Sequence, residues 1–227
     1  MSRLYVSENG EVAVAWDLDD TLAFTFPGVR ASWEQTGVDF GLPIDLAALE
    51  RERGRPLSEE AAYQFNKLKR PDLIQPGINH YRKIMGQMGI RMATPNPGAL
   101  ESVRHVYQSG GRNIVSTGKI RHLAIGTLAN NYMEGFLDVI KQEDIHGDIV
   151  DAGKTAIFKE KGVGIYVGDH PRDMASARGV KEWHVIAVGV TTGTHNAAQL
   201  KKAGADIVLP TLEGFPAYFD SLLNQPR

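Results

Sequence analysis

Two short acidic clusters hold the residues best suited to chemistry. One is Asp17, Asp19 and Asp20 in "AWDLDDT"; the other is Asp169 and Asp173 in "VGDHPRD". Each follows an apolar run, residues 12–16 for the first and "GIYVG" for the second. Such runs read as buried strands. In an open α/β sheet, ligand sites lie beyond the carboxyl ends of the strands. If both strands are central and parallel, Asp17, Asp19, Asp169 and Asp173 converge on one edge. Carboxylates so gathered repel one another and resist desolvation. A bound Mg²⁺ resolves the conflict, because it is a hard cation that prefers carboxylate and carbonyl oxygens.

The elements that must position these acids follow from periodicity. From Pro97 the chain alternates short apolar strands with amphipathic helices. "PGALESVRHVYQSG", "RHLAIGTLANNYM", "KTAIFKEKG", "PRDMASARG" and "NAAQLKKAG" read as helices, the first with Pro97 near its first turn. "RNIVST", "FLDVIK", "VGIYVGD", "HVIAVGV" and "ADIVL" read as strands, and a last helix closes the chain. That alternation predicts an α/β fold, a Rossmann-like, mostly parallel sheet with helices on both faces. Residues 24 to 92 break the pattern. They hold no convincing strand but several helical stretches punctuated by Pro and Gly. "SEEAAYQFNKLK" opens with Ser58 as a cap, and "GINHYRKIMGQMG" sets Ile78, Tyr81, Ile84 and Met85 on one stripe with Gly89 as a stop. The expected organisation is an α/β core, residues 1–23 and 93–227, interrupted after its first strand by a helical cap domain, residues 24–92.

Composition narrows the classes. The 227 residues are 42% hydrophobic, enough for a sizeable core. A net charge of -2 gives no global pull toward nucleic acid or an anionic membrane. There is no cysteine, which excludes disulfides, thiolate metal sites and a cysteine nucleophile. The opening "MSRLYVSENGE" lacks the apolar run of a secretory leader, and no segment is long enough for a membrane span. The expectation is a soluble cytoplasmic protein.

"DLDDT" resembles the D-x-D-x-T motif of the haloacid dehalogenase-like superfamily, and "VGDHPRD" its G-D-x-x-x-D. The tail "AVGVTTGTHNAAQLKKAGADIVL" is similar to that of phosphoglycolate-phosphatase-like members, with a helical cap inserted after the first strand. The resemblance implies a Mg²⁺-dependent phosphatase acting on a small phosphorylated metabolite through an aspartyl-phosphate. Asp17 would be the nucleophile. Asp19 would be the general acid and then the base, its backbone carbonyl also binding the metal. Asp169 would be a direct ligand, and Asp173 would act through water or by orienting its neighbours. The family places a Ser or Thr at the end of "NIVSTGK" to hold a phosphate oxygen; Thr117 is the choice and Ser116 the alternative. It also requires a lysine. Lys154 starts a helix at the same sheet edge; Lys159 and Lys161 end that helix and face the opposite edge; Lys141 is the runner-up. The usual proline after that lysine is absent from "DAGKTAIF". The second carboxylate, Asp19, sets the chain apart from dehalogenases and phosphonatases of the superfamily, while phosphomutases share it and stay an alternative. A receiver-like signalling module also clusters Asp, Thr and Lys around Mg²⁺, but its acceptor follows a middle strand. A binding-only member is a further alternative.

Other signals read as ordinary structure. "GDIVDAGKT" spaces its glycines wrongly for a Walker loop. The seven histidines show no zinc spacing, and His170 reads as exposed beside the site. Trp16 reads as core. "RERGRP" reads as a solvated charged face.

Overall fold

A computed structural model of the chain describes residues 4–7 and 10–224. The opening residues, considered above for a leader, lie partly outside these. Strand β1 (Ala13–Trp16) is followed by β2 (Ala23–Phe24) and four helices, α1 (Phe26–Phe40), α2 (Leu46–Arg51), α3 (Leu57–Lys67) and α4 (Ile74–Gln87). Strand β3 (Thr94–Pro95) then pairs antiparallel with β2. Beyond it come α5 (Ala99–Gln108), β4 (Arg112–Ser116), α6 (Arg121–Leu128), β5 (Ile145–His146), α7 (Ala152–Lys161) and β6 (Val163–Gly168). The chain closes with α8 (Pro171–Gly179), β7 (Ile186–Val190), α9 (Ala197–Lys202), β8 (Ile207–Leu209) and α10 (Phe215–Leu223).

Six strands form one sheet in the order β5-β4-β1-β6-β7-β8, with every neighbouring pair parallel. Side chains alternate across it, as the two-residue period of a strand requires. Val14 and Trp16 join a core with Val103 of α5, Ala124 of α6 and Phe215 of α10. Ala13 and Ala15 face the opposite side, with Phe158 of α7, Met174 of α8 and Leu200 of α9. The parallel α/β expectation is therefore met, with helices on both faces. Trp16 is fully buried, and its indole Nε1 donates to Asn113 Oδ1 at 2.9 Å.

Helices α1–α4 share a third cluster built on Trp33, Leu49, Phe65, Tyr81 and Met85, packed against Leu123 of α6. Helices α3 and α4 touch closely at Gly77, where a Cβ would lie 2.1 Å from the Phe65 ring. The two-residue ribbon β2/β3 joins this helical group to the sheet. Its strands are too short to show any periodicity in the sequence.

Several local expectations change. "FLDVIK" is no strand: Ile140 N–H donates to Phe136 O at 2.9 Å, and both side chains are buried. Apolar residues four apart bury themselves through one turn there, and the short edge strand β5 comes later. Ser58 lies inside α3, whose N-cap is Pro56. Helix α4 starts earlier than read, at Ile74, and ends at Gln87, with Gly89 opening a separate 3₁₀ turn. Helix α5 starts after Pro97, with Gly98 as its N-cap.

Candidate active site

The central strand β1 lies between β4 and β6, so the chain leaves it in opposite directions. That is the switch point where a crevice opens at the carboxyl edge of a sheet. Trp16 is level with Val115 of β4 and Val167 of β6. Asp17, Thr117 and Asp169 therefore emerge side by side just beyond the three strand ends. Asp17 N–H still donates to Val167 O at 2.9 Å, which ties the acid to the ladder.

The structure gathers Asp17, Asp169 and Asp173, each with a carboxylate oxygen within 4.8 Å of the others, and all three are buried. Lys154, from the first turn of α7, sends its Nζ to Asp17 Oδ1, Asp173 Oδ1 and the Tyr166 hydroxyl, each at 2.7 Å. Thr21 donates to Asp169 Oδ1 at 3.0 Å, and His170 N–H donates to Asp173 Oδ2 at 3.1 Å. Asp173 is thus fixed by three donors, Lys154, Tyr166 and the His170 amide. At Gly193 a Cβ would lie 1.9 Å from Asp169 Oδ2, so the loop after β7 fits against that carboxylate only without a side chain.

The electrostatics follow from burial. Burial pushes the Asp17 carboxyl up to about 7 despite the pull of Lys154. Asp169 is pushed well above the usual range, first by burial and then by Asp173 and Asp17. Burial opposes charge on Lys154 too, but Asp17 and Asp173 together outweigh it and hold its ammonium charged. Three buried acids against one lysine cannot all ionise without leaving excess negative charge. The donor set is all hard oxygen, so these residues fit a Mg²⁺ ion.

Asp19 stands apart from that triad, half-buried. Its Oδ1 takes the Lys119 ammonium at 2.9 Å and a short hydrogen bond from the Thr25 hydroxyl. Asp20, next in the turn, adopts the left-handed region at φ 57°, which aspartate tolerates better than most residues. Burial raises its carboxyl to about 6 against the pull of Arg53, whose Nε lies 3.7 Å from Asp20 Oδ2.

Thr117 lines the cavity above these acids, whereas the buried Ser116 hydroxyl finds no partner among the described residues. Lys154 is at the acids; Lys159 pairs with Glu182, Lys161 with Glu160, and Lys141 lies on the exposed surface. His170 is half-buried rather than exposed: its Nδ1 caps α8 by accepting from Arg172 N–H at 3.0 Å. "RERGRP" is not a uniformly solvated face either. Arg53 and Arg55 turn inward and line the cavity, because carboxylates and the Phe24 and Phe26 rings lie there to receive them. The sequence reading missed Lys119, Thr25 and Tyr166. Only Lys119 carried a usable signal, two residues after Thr117 in the same loop.

The cavity holds about 410 Å³ and runs from Asp17, Asp19 and Lys154 to side chains of α1, α2 and α4. A site of this kind can hold a divalent ion, present a carboxylate to an electrophile and shelter a small organic group.

The chain belongs to the haloacid dehalogenase-like hydrolases: the sequence model of that family matches residues 14–188. It is 24% identical over 208 residues to a protein named "Probable phosphatase IndB" of Dickeya dadantii (strain 3937), covering 87% of this chain and 89% of that one. Its fold is similar to that of a solved structure described as a predicted phosphatase from Clostridium acetobutylicum, with TM-score 0.77, 19% identity, and 96% and 99% of the two chains covered. A structure described as a predicted phosphoglycolate phosphatase from Haemophilus somnus aligns with TM-score 0.72 at 15% identity, over 92% of this chain and 98% of that one. Among the described residues no helix is long and apolar enough to cross a membrane.

Proposed function

We propose that this hydrolase is a Mg²⁺-dependent phosphatase that cleaves a small-molecule phosphomonoester through an aspartyl-phosphate on Asp17. The observation that carries the reading is the buried constellation of Asp17, Asp169, Asp173 and Lys154 at the carboxyl edge of β1 and β6, with Thr117 of the β4 edge on the same cavity. Asp17, Asp169 and Asp173 would hold the ion, with the Asp19 backbone carbonyl as a further ligand. The bound ion supplies positive charge that offsets repulsion between the carboxylates and a phosphate dianion.

The chain's own residues supply the rest. Asp17 attacks phosphorus while Lys154 keeps its Oδ1 oriented and shares the negative charge. Thr117 offers a hydroxyl donor to a phosphate oxygen. Asp19, fixed by Thr25 and Lys119 on the cavity wall, gives a proton to the leaving oxygen. Asp19 then takes a proton from the water that opens the acyl phosphate, which restores Asp17. Residues 1–23 and 93–227 form the catalytic core in this reading, and residues 24–92 form a cap that excludes bulk water and selects the leaving group. The enzyme acts on a soluble metabolite in the cytoplasm.

The test is phosphate release from p-nitrophenyl phosphate. Asp17→Asn removes the nucleophile and abolishes turnover with an unchanged circular dichroism spectrum; EDTA silences the wild type and Mg²⁺ restores it. Turnover retained by Asp17→Asn refutes the assignment.

A further inference from the structure

The cap side of the cavity limits what the leaving group can be. The basic residues lining the cavity as a whole are Arg53, Arg55, Arg82, Lys119, Lys154 and Arg172, and each one already lies near a carboxylate. Arg55 lies between Glu60 at 3.2 Å and Glu52 at 3.4 Å; Arg82 meets Asp148 at 3.0 Å; Arg172 meets Glu59 at 3.0 Å. Lys119 is held by Asp19, Lys154 by Asp17 and Asp173, and Arg53 by Asp20 and two phenylalanine rings. The Nε atoms of Arg53 and Arg82 make no hydrogen bond to a described residue, and both are buried. A second anionic group on the substrate would have to compete with a carboxylate for each of these cations. It would also meet Glu60, which is only 4% exposed and already lines the cavity as an acid. Taking Arg55 from Glu60, or Lys154 from Asp17 and Asp173, would strand a buried charge, which is strongly unfavourable; the pairs of Arg82 and Arg172 are with the exposed Asp148 and Glu59 and are weaker.

Much of the remaining wall is apolar, with Phe26, Val29, Trp33, Leu49, Ile78 and Met85, and Ser58 and Gln75 line it as well. Tyr81 interrupts it. Its ring packs on Trp33 at 4.9 Å between centroids, and its side chain is 6% exposed. Its hydroxyl makes no hydrogen bond to any described residue and stays accessible from the cavity. A hydroxyl open to the cavity and without a protein partner is available to a polar atom on the ligand.

Building on the phosphatase reading, we infer that the substrate is a phosphomonoester with an uncharged leaving group. That group has a largely apolar body and one polar atom placed to bond the Tyr81 hydroxyl. Phosphorylated carboxylic acids and bisphosphates are disfavoured.

The test compares alkyl esters, so that leaving-group reactivity is similar: benzyl phosphate, 4-(hydroxymethyl)benzyl phosphate, phosphoglycolate and glucose 1,6-bisphosphate, assayed with Mg²⁺ for released phosphate. The two benzyl esters are expected to show kcat/KM at least about tenfold above the two anionic ones, since a site rejects a ligand that leaves its buried polar groups unpaired. Equal or better turnover of phosphoglycolate or the bisphosphate overturns the inference. In Tyr81→Phe, the KM advantage of the hydroxymethyl ester over plain benzyl phosphate should shrink about three- to tenfold, the worth of one hydrogen bond. An unchanged KM ratio overturns the part given to Tyr81. p-Nitrophenyl phosphate separates the two readings. If it turns over but the alkyl ranking is reversed, only the leaving-group inference falls. If neither it nor any alkyl ester releases phosphate, the phosphatase reading falls and takes the inference with it.

Discussion

Lys154→Met is the most demanding test of the site's electrostatics, because it removes one positive charge and keeps most of the side chain's bulk. In the wild type, two charge-assisted bonds of 2.7 Å tie that ammonium to Asp17 and Asp173, and all three residues are at most 8% exposed. Without it, three carboxylates remain within 4.8 Å of one another. Breaking a buried pair by deleting one partner costs about 3–5 kcal/mol. Two charge-assisted hydrogen bonds at about 1.5–3 kcal/mol each give a similar sum. The control is Lys159→Ala, whose partner Glu182 is 53% exposed at its side chain. Such a surface pair is worth about 0–1 kcal/mol. For a chain of this length, 1 kcal/mol moves Tm by about 2–4 °C. Lys154→Met should therefore lower Tm by about 6–20 °C, and Lys159→Ala by no more than about 4 °C. Thermal unfolding in EDTA at pH 8, above the wild-type value of Asp17, should show a larger effect than at pH 5, where protonation of the acids relieves part of it. Mg²⁺ should recover part of the lost stability by supplying the missing positive charge. Phosphate release should fall far more for Lys154→Met than for Lys159→Ala. A Lys154→Met protein as stable as Lys159→Ala, or equally active, would refute the electrostatic account.

Three further outcomes follow from the same geometry. The folded-state pKa of Asp17 is raised from 3.8 to about 7, so folding takes up its proton; that stabilisation is complete below about pH 4 and is lost as pH rises through 7. Urea midpoints in EDTA should fall between pH 5 and 8, and Mg²⁺ should flatten the fall; a midpoint that rises over that range contradicts the burial of the acids. Thr117→Ala should cut kcat at least about tenfold, as loss of a transition-state donor does, while Ser116→Ala, which deletes a buried hydroxyl with no partner, should leave activity and stability within about 0.5 kcal/mol of wild type or slightly improve stability. Gly193→Ala should raise the Mg²⁺ concentration needed for half-maximal activity, because its Cβ displaces the Asp169 carboxylate; an unchanged Mg²⁺ titration would show that Asp169 does not ligate the ion.

The sequence alone determined the parts governed by local rules. Alternating strands and helices after Pro97 required a parallel sheet, and an acid placed directly after a buried strand must emerge at its carboxyl edge. That logic put Asp17 and Asp169 together, and it favoured Lys154 over Lys159 because the two ends of one helix face opposite edges of the sheet. Tertiary structure decided whatever depends on partners far apart in the chain. "FLDVIK" has a strand's composition but buries Phe136 and Ile140 through a turn, since the edge of the sheet is filled by β5. Arg53 and Arg55 look like solvated charges until the fold brings Asp20 and Glu60 beside them. Tyr81 reads as one residue of an apolar helical stripe, and only the packing of α4 over the acids leaves its hydroxyl facing a cavity with no partner among the described residues. Periodicity specifies which face of an element is buried. What stands opposite that face is fixed by contacts between residues tens of positions apart, and those contacts set the charge balance of the site.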